Sequence, residues 1–469
     1  MGKYVRPLAR CVALLVLGAG LAAVGACGAD PTAEKDKSHS TSTTAASSTT
    51  GAEGGSRIPQ PVVPGDLPTA PESERVDLAM PSFSDPTNVT NPLFPVSKQE
   101  SVLLLGHVDG KPFRTEVTLL PDTRIIEWQG QQVETLVSQY VANLDGRIHE
   151  VAYDLYAQAD DGSVWYFGED VFNFEDGVIV DTHGTWIAGK DGPAAMIMPA
   201  DPKVGDVYRP ENIPGFVFEE VTVKSVDKTL DGPLGPVDGG LLVEELHMEG
   251  DTEDKTFAPG YSEFYTAGGG DVEALALTVP TDALSGSLPA ELETLSSGAL
   301  DIFDAARSND WNAASTTVEK MTAAWETYKT GEVPKMVEPR MTDALAALAE
   351  AVDARDAAQA RQAAIDAARW SLDLQLQYRP PVEIDLARFD LWAAQLVVDA
   401  AAGDAAAVNG DLFALDYVRD RILHKLDGAD ATRVNTVLEE LQTAMDDEDL
   451  TAATDAAGRL RDTLRQLQE

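Results

Sequence analysis

Between about residue 101 and residue 278, apolar and polar positions alternate along short segments. The segments 149–156 and 164–167 show this alternation with a period of two, which is typical of a β-strand with one face on a core. Asp-Gly pairs favour tight hairpins because both positions accept positive φ, and seven of them separate the apolar segments, beginning at Asp109, Asp145, Asp161, Asp176, Asp191, Asp231 and Asp238. The pattern predicts an antiparallel β meander or half-barrel over residues 76–280, called the β module below.

After Pro289 the period becomes helical and the chain repeats itself. The repeat is anchored by four aspartates spaced 46, 48 and 45 residues apart, namely Asp310, Asp356, Asp404 and Asp449. Small or apolar residues follow each anchor at four, eight and eleven positions, which marks one face of a helix. Each aspartate suits the N-cap of the second helix of a hairpin. Residues 281–469 are therefore predicted to form four helical hairpins, called the helical module, and the fold class is multidomain α+β.

A break is predicted at residues 379–381, where Arg379-Pro380-Pro381 stands between the second and third hairpins. Proline lacks an amide donor and restricts the residue before it, so a helix is not expected to continue through this point. The four hairpins can then form two four-helix bundles or one stack, and the break favours bundles.

The first 27 residues have the pattern of a bacterial leader. Basic residues precede an apolar segment over residues 12–24, and Val24-Gly25-Ala26-Cys27 ends it. The apolar segment is shorter than the about 20 residues of a membrane-spanning helix. These four residues resemble the lipobox of bacterial lipoproteins. The resemblance implies a signal peptide over 1–26, a lipid on Cys27, and a location on the outer face of the bacterial cytoplasmic membrane. Residues 27–75, rich in Ser, Thr, Gly and Pro, are predicted to form a disordered tether.

Two short sequences in the β module carry a second resemblance. Asp154-Leu155-Tyr156-Ala157-Gln158 and Val164-Trp165-Tyr166-Phe167-Gly168-Glu169, with Met198-Pro199-Ala200-Asp201-Pro202 downstream, are similar to a motif of an uncharacterised family of secreted bacterial β-rich proteins. The resemblance implies an extracellular β domain and no particular activity.

The charge balance limits the partners. The chain has 78 acidic and 35 basic residues and a formal net charge of −43. Nucleic acids are not expected as partners, because phosphate binding needs a basic surface. The balance is compatible with attraction of cations. Expected partners are the membrane, through the lipid on Cys27, and an envelope protein or a small apolar ligand; the sequence leaves the oligomeric state open.

Two groups of residues are candidate binding sites. A ligand pocket in the β module would contain Asp154, Tyr156, Trp165, Tyr166, Trp186, Met196 and Met198, although such aromatic residues also fill cores and cross-strand pairs. A cleft between the halves of the helical module would contain Asp373, Tyr378, Arg379, Asp385, Arg388 and Trp392, although such charges also form ion pairs on exposed helix faces. His149, His183 and His247 lack a local ligand spacing, and two methionines are few for Cu(I), so no metal or other cofactor is predicted.

The sequence favours binding over catalysis. It has no G-x-S-x-G, P-loop, H-E-x-x-H or EF-hand motif, and abundant carboxylates alone do not indicate a catalytic pair. The function predicted from the sequence is a membrane-anchored extracytoplasmic lipoprotein with a non-enzymatic ligand- or protein-binding role in the cell envelope. Two alternatives remain: a metal- or cation-handling accessory lipoprotein of a membrane transporter, and a hydrolase of wall polymer.

Overall fold

A computed structural model describes residues 57–468 with the exception of 64 and 66. Over this range the chain forms fourteen β-strands followed by eight α-helices. The predicted fold class, an antiparallel β module followed by a module of four helical hairpins, is confirmed. The leader, Cys27 and residues 27–56 of the predicted tether lie outside the described residues.

The strands form one antiparallel sheet. They are β1 (Ser101–Val108), β2 (Lys111–Trp128), β3 (Gln131–Leu144), β4 (Arg147–Gln158), β5 (Val164–Glu175), β6 (Val178–Asp181), β7 (Trp186–Ile187), β8 (Ala195–Met198), β9 (Val207–Ile213), β10 (Val217–Gly232), β11 (Gly235–His247), β12 (Thr252–Ala258), β13 (Ser262–Gly268) and β14 (Asp271–Val279). Strands β1 to β6 and β9 to β14 are two meanders joined where β1 pairs with β14, and β7 and β8 pair with β5.

Three of the predicted Asp-Gly pairs form tight hairpin turns. Asp109, Asp145 and Asp176 have φ values of 52°, 52° and 48°, and the following glycines are also at positive φ, as a two-residue type I′ turn requires. Gly177 meets a second requirement, since a Cβ there would lie 1.9 Å from the carbonyl oxygen of Ala406 in the helical module. The turn between β5 and β6 is thus packed directly against a helix.

The helices form four hairpins. They are α1 (Ala290–Ser308), α2 (Trp311–Tyr328), α3 (Val337–Ala354), α4 (Ala357–Gln375), α5 (Pro381–Ala402), α6 (Ala405–Ile422), α7 (Gly428–Asp446) and α8 (Leu450–Gln468). Short 3₁₀ turns occur at Glu72–Glu74, Val96–Lys98 and Leu423–Lys425. The anchor aspartates Asp310, Asp356, Asp404 and Asp449 accept hydrogen bonds from amides at the start of α2, α4, α6 and α8, as predicted.

The helices pack as two four-helix bundles. Helix α1 contacts α2 and α4, and α3 contacts α2 and α4; α5 contacts α6 and α8, and α7 contacts α6 and α8. Trp325 is buried in the core of the first bundle, which also includes residues of β1, β14 and α5, and Phe389 is buried in the core of the second bundle. Pro381 is the first residue of α5, so the predicted break separates the bundles. Within residues 57–468, none of the helices has the length and hydropathy needed to span a membrane.

The packed part of the chain begins before the predicted boundary at residue 76. Ile58 is 4% exposed and belongs to the core of the sheet. The buried Arg75 guanidinium donates to the Asp77 carboxylate at 2.6 and 2.9 Å, and Asp77 also accepts the amide of Arg209. The polar and proline-rich composition of residues 57–75 concealed this packing, because it depends in part on residues distant in the sequence, such as Arg209 on β9.

Candidate functional site

The sheet wraps around a cavity whose wall is rich in carboxylates. Acidic residues from eight strands line it or its edge, among them the nine residues Glu150, Asp154, Glu169, Glu211, Glu219, Glu245, Glu253, Glu263 and Glu273. Three adjoining spaces of about 190, 330 and 120 Å³ share residues of this wall. Glu245 is buried and the other eight are half-buried. These nine residues and the space between them are called the acidic cavity.

Several carboxyl groups in the acidic cavity have raised pKa values and hold their protons near neutral pH. Burial raises the pKa of Glu150 to about 8, and the negative charges of Asp154 and Glu273 add to the effect. Burial likewise raises the pKa of Asp154, Glu211 and Glu273 to about 7 each. A buried carboxyl group resists ionisation because the charged form loses its hydration, and neighbouring negative charges oppose it further. The wall is therefore able to exchange protons for another cation.

Two acidic residues on the wall are in direct contact. Burial raises the pKa of Glu169 well above its ordinary range, and Glu211 raises it further through its charge and through a hydrogen bond between the two side chains. The Trp186 indole NH also donates to Glu211 Oε1 at 3.2 Å. A carboxylic acid and a carboxylate can share one proton in this way, so the pair stores a proton that a ligand can displace.

The described wall holds little positive charge. The Lys255 ammonium lies 2.9 Å from Glu245 Oε2. Burial lowers the pKa of Lys255, but the surrounding carboxylates, Glu245 first among them, outweigh burial and raise it well above its ordinary value. His183 and His247 also border the cavity. The cations of the wall thus remain fewer than its carboxylates.

His247 occupies a corner of the acidic cavity between two glutamates. Its Nδ1 is 3.7 Å from Glu219 Oε1, and its Nε2 is 3.5 Å from Glu253 Oε1. Ligand atoms of Glu245, His247 and Glu253 all lie within 4.8 Å of one another. Strand register explains this grouping, since Glu219 is opposite His247 and Glu253 is opposite Glu245. The four residues Glu219, Glu245, His247 and Glu253 are called the histidine corner.

The predicted ligand pocket divides between the cavity wall and the core. Asp154 and Tyr156 line the 120 Å³ space, and the Tyr166 hydroxyl donates to Asp154 Oδ1 at 2.8 Å. The other four members, Trp165, Trp186, Met196 and Met198, are buried in the apolar core of the sheet. Tyr156 and Tyr166 belong to the same buried core, so core packing accounts for six of the seven residues, and only Asp154 and Tyr156 line the acidic cavity.

The predicted helical cleft is also divided. Asp373, Asp385 and Arg388 are buried in an ion network that reaches the sheet. Trp392 borders a space of about 420 Å³ between the sheet and the helices, which Arg388 of the network also lines, and the Arg369 guanidinium lies 5.2 Å from the Trp392 ring centre. The remaining residues lie apart from the network: Arg379 pairs with Glu293 at 3.3 Å, and Tyr378 neighbours Tyr328. The six residues do not form one cleft between the bundles.

The sequence contained one local signal for the histidine corner. Glu245 and His247 are two positions apart on β11, and Glu253 follows across the turn to β12. A Glu-x-His on a strand followed by a glutamate after a turn places three metal-ligating side chains, two carboxylates and one imidazole, on one face. The sequence interpretation considered histidine spacings alone and grouped His247 with His149 and His183. Of those two, the structure places His183 on the cavity wall, while His149 packs near Phe113.

Comparison with protein-family models and with curated proteins finds no match to this chain.

Proposed function

We propose that this protein is a lipid-anchored extracytoplasmic binding protein that holds a cationic ligand in the acidic cavity without chemically altering it. The observation that carries the proposal is the excess of carboxylates on the wall: nine acidic side chains face one lysine and two histidines. The leader supports the extracytoplasmic location, and the overall charge of −43 supports attraction of cations toward the protein.

The energetic cost of this wall favours a binding role. A carboxylate removed from water is unfavourable unless a cation or hydrogen-bond donors compensate it. Apolar residues at the same inward positions would avoid this cost, as they do at the other end of the sheet around Trp128 and Trp165. A bound cation would compensate the wall and displace its protons. The hydrogen bond between Glu169 and Glu211 brings them closer than the about 5–9 Å between carboxyl groups in glycoside hydrolases, so this pair supports cation storage rather than wall-polymer hydrolysis.

Cation binding can be measured directly by calorimetry. We expect the mature chain to bind a divalent metal ion or a polyamine at pH 7 and to release protons as it does so, because several wall carboxyls are protonated there. Proton release is obtained by repeating titrations with ZnCl₂, MnCl₂ and spermidine in buffers of different ionisation enthalpy. The double variant Glu150→Gln/Glu169→Gln should release fewer protons and bind at least one of these cations more weakly.

Glu319→Gln is the matched control for that experiment, since Glu319 is exposed on α2. It replaces a carboxylate outside the acidic cavity and should leave binding and proton release unchanged. If no tested cation binds, or if the double variant and the control behave alike, the acidic cavity is not the binding site.

The anchor is tested separately at Cys27. We expect Cys27→Ala to abolish lipid attachment and to leave the chain either unprocessed or released, because acyl chains contribute about 0.8 kcal/mol for each buried methylene. Membrane fractionation with metabolic labelling by a fatty acid measures both effects. Ser42→Ala, in the predicted tether, is the control and should remain lipidated. A Cys27→Ala protein retained on the membrane at wild-type size would contradict the lipoprotein assignment.

A further inference from the structure

The histidine corner has the composition of a metal site. Three adjacent strands contribute it: Glu219 lies on β10, Glu245 and His247 lie on β11, and Glu253 lies on β12. Residues two apart on a strand point to the same face, and directly opposed residues on neighbouring strands have Cβ atoms about 4.5–5.5 Å apart. Two opposed pairs therefore converge on one small region at the edge of the acidic cavity.

The distances in the histidine corner fit a bridging ion better than direct hydrogen bonds. His247 Nε2 and Glu253 Oε1 are 3.5 Å apart, which exceeds the usual length of a charged hydrogen bond. Two ligand atoms bound tetrahedrally to one ion, at about 2.0–2.2 Å each, lie about 3.4 Å from one another. The separation of these two atoms is thus close to the value that a shared metal ion requires.

One buried atom in the corner is left without a hydrogen-bond partner. His247 is 8% exposed, and its Nε2 has no hydrogen bond among the described residues. Glu245 is 2% exposed and is compensated by the Lys255 ammonium, 2.9 Å from its Oε2. Buried polar atoms are normally satisfied by a partner. A ligand bound at this point would satisfy His247 Nε2.

We infer that the histidine corner binds one divalent transition-metal ion through His247 Nε2 and the carboxylates of Glu245 and Glu253. This inference rests on the proposed cation binding and names the class of cation. One imidazole and two carboxylates suit Zn²⁺, Mn²⁺, Fe²⁺ or Co²⁺, whereas Ca²⁺ and Mg²⁺ prefer oxygen ligands throughout.

Glu219 has a supporting role at this site. Its Oε1 lies 3.7 Å from His247 Nδ1, on the opposite side of the ring from Nε2. A carboxylate beside the non-ligating nitrogen fixes the orientation of a metal-bound histidine and raises its basicity. Glu219 is therefore a positioning residue, and Glu219→Gln should weaken metal binding less than loss of a ligand does.

The test uses the mature chain, freed of metal by chelation and dialysis, with Zn²⁺ titrated by calorimetry and Co²⁺ by visible absorption. We expect one ion per chain and a Co²⁺ spectrum with nitrogen and oxygen ligation. His247→Ala and, independently, Glu253→Gln should each weaken metal binding by about 100-fold or more. Removing a metal ligand should cost at least as much affinity as removing a residue that only hydrogen-bonds to a ligand. His149→Ala removes a histidine that packs near Phe113 and should bind as the wild type does. Circular dichroism confirms that each variant is folded.

The outcomes separate this inference from the proposed function. If Zn²⁺ binds but neither His247→Ala nor Glu253→Gln weakens it, the histidine corner is not the metal site, and cation binding by the rest of the cavity still stands. The same conclusion follows if spermidine binds and transition metals do not. If neither metals nor spermidine bind, both the inference and the proposed function are overturned.

Discussion

Replacing Arg388 with methionine will lower the free energy of unfolding by about 3–5 kcal/mol, as expected when one partner of a buried ion network is removed. The Arg388 guanidinium is 4% exposed and donates to Asp373 at 2.7 Å and to Asp385 at 3.1 Å. Glu116 lies 3.4 Å away. The variant would leave these buried carboxylates with less compensation, and methionine cannot replace the lost hydrogen bonds.

The effect is expected to be large because this network joins the two modules. Asp373 lies on α4 in the first bundle, Arg388 lies on α5 in the second, and Glu116 lies on β2 of the sheet. Arg114 of the sheet also binds Asp373, at 2.8 and 2.9 Å, and Arg421 of α6 binds Glu116 at 2.7 Å. Both bundles are therefore fixed to the sheet through one buried set of charges.

Arg459→Met provides the matched control. Arg459 pairs with Glu440 at the surface, and its side chain is 53% exposed, so its loss should cost no more than about 1 kcal/mol. Urea denaturation followed by circular dichroism and by tryptophan fluorescence measures both variants. Equal losses in the two variants would show that the buried network adds nothing beyond a surface pair.

The stability of the apo protein should fall as the pH rises from 5 to 8. The pKa of Glu150 is raised from 4.5 to about 8 in the folded state, so between these values the unfolded chain ionises while the folded chain keeps its proton. The stabilisation from this group is fully present below about pH 4.5 and is lost as the pH rises through 8. Asp154 and Glu273, each raised to about 7, act in the same direction.

The size of this pH effect on stability follows from the pKa shifts of the buried carboxyl groups. One unit of pKa shift corresponds to about 1.4 kcal/mol, and we expect the melting temperature in chelator to fall by on the order of 5 °C between pH 5 and pH 8. Glu116 acts oppositely: burial raises its pKa, but the guanidinium groups of Arg388, Arg114 and Arg421 outweigh burial and lower it well below its usual value. Its contribution is lost only in acid below this range.

Glu150→Gln should raise the melting temperature at pH 8 more than at pH 5, because the amide cannot ionise. The exposed Glu319→Gln removes one charge from the surface and should change the two temperatures equally. Differential scanning calorimetry at both pH values makes the comparison. A stability that rises from pH 5 to pH 8, or an equal response of the two variants, would contradict the assignment of buried protons to the acidic cavity.

Local patterns in the sequence were sufficient for the architecture. The helical hairpins were predictable because each anchor aspartate caps its own helix within three residues, which is a local interaction. The turns at Asp109, Asp145 and Asp176 were predictable for the same reason, since Asp-Gly adopts positive φ without help from distant residues. The break at Pro380 and Pro381 follows from the geometry of proline.

The composition of the binding site depends on contacts between distant residues. Alternation along β4 separates Glu150 and Asp154 from Val151 and Leu155, but it does not say which face is covered. In the structure both faces of β4 are covered. The wrapped sheet encloses the face with the carboxylates, and helix α6 packs on the other face, where the Tyr153 hydroxyl donates to Asp420. The sequence interpretation placed aromatic residues in the pocket, and six of its seven members proved to be core because the apolar end of the sheet closes around them.

The sequence by itself therefore determined the order of the modules, the number of helical hairpins and the positions of three tight turns, because these follow from periodicity, capping and backbone preference over a few residues. The Asp-Gly pairs at Asp231 and Asp238 lie within β10 and β11 instead of forming turns. Only the tertiary structure decided that carboxylates from eight strands share one cavity, and that Asp373, Asp385 and Arg388 join the modules instead of lining a helical cleft. The pairing of Glu219 with His247 and of Glu245 with Glu253 depends on strand register. The burial that raises the pKa values of the neighbouring carboxyl groups arises only when the whole sheet wraps around the acidic cavity.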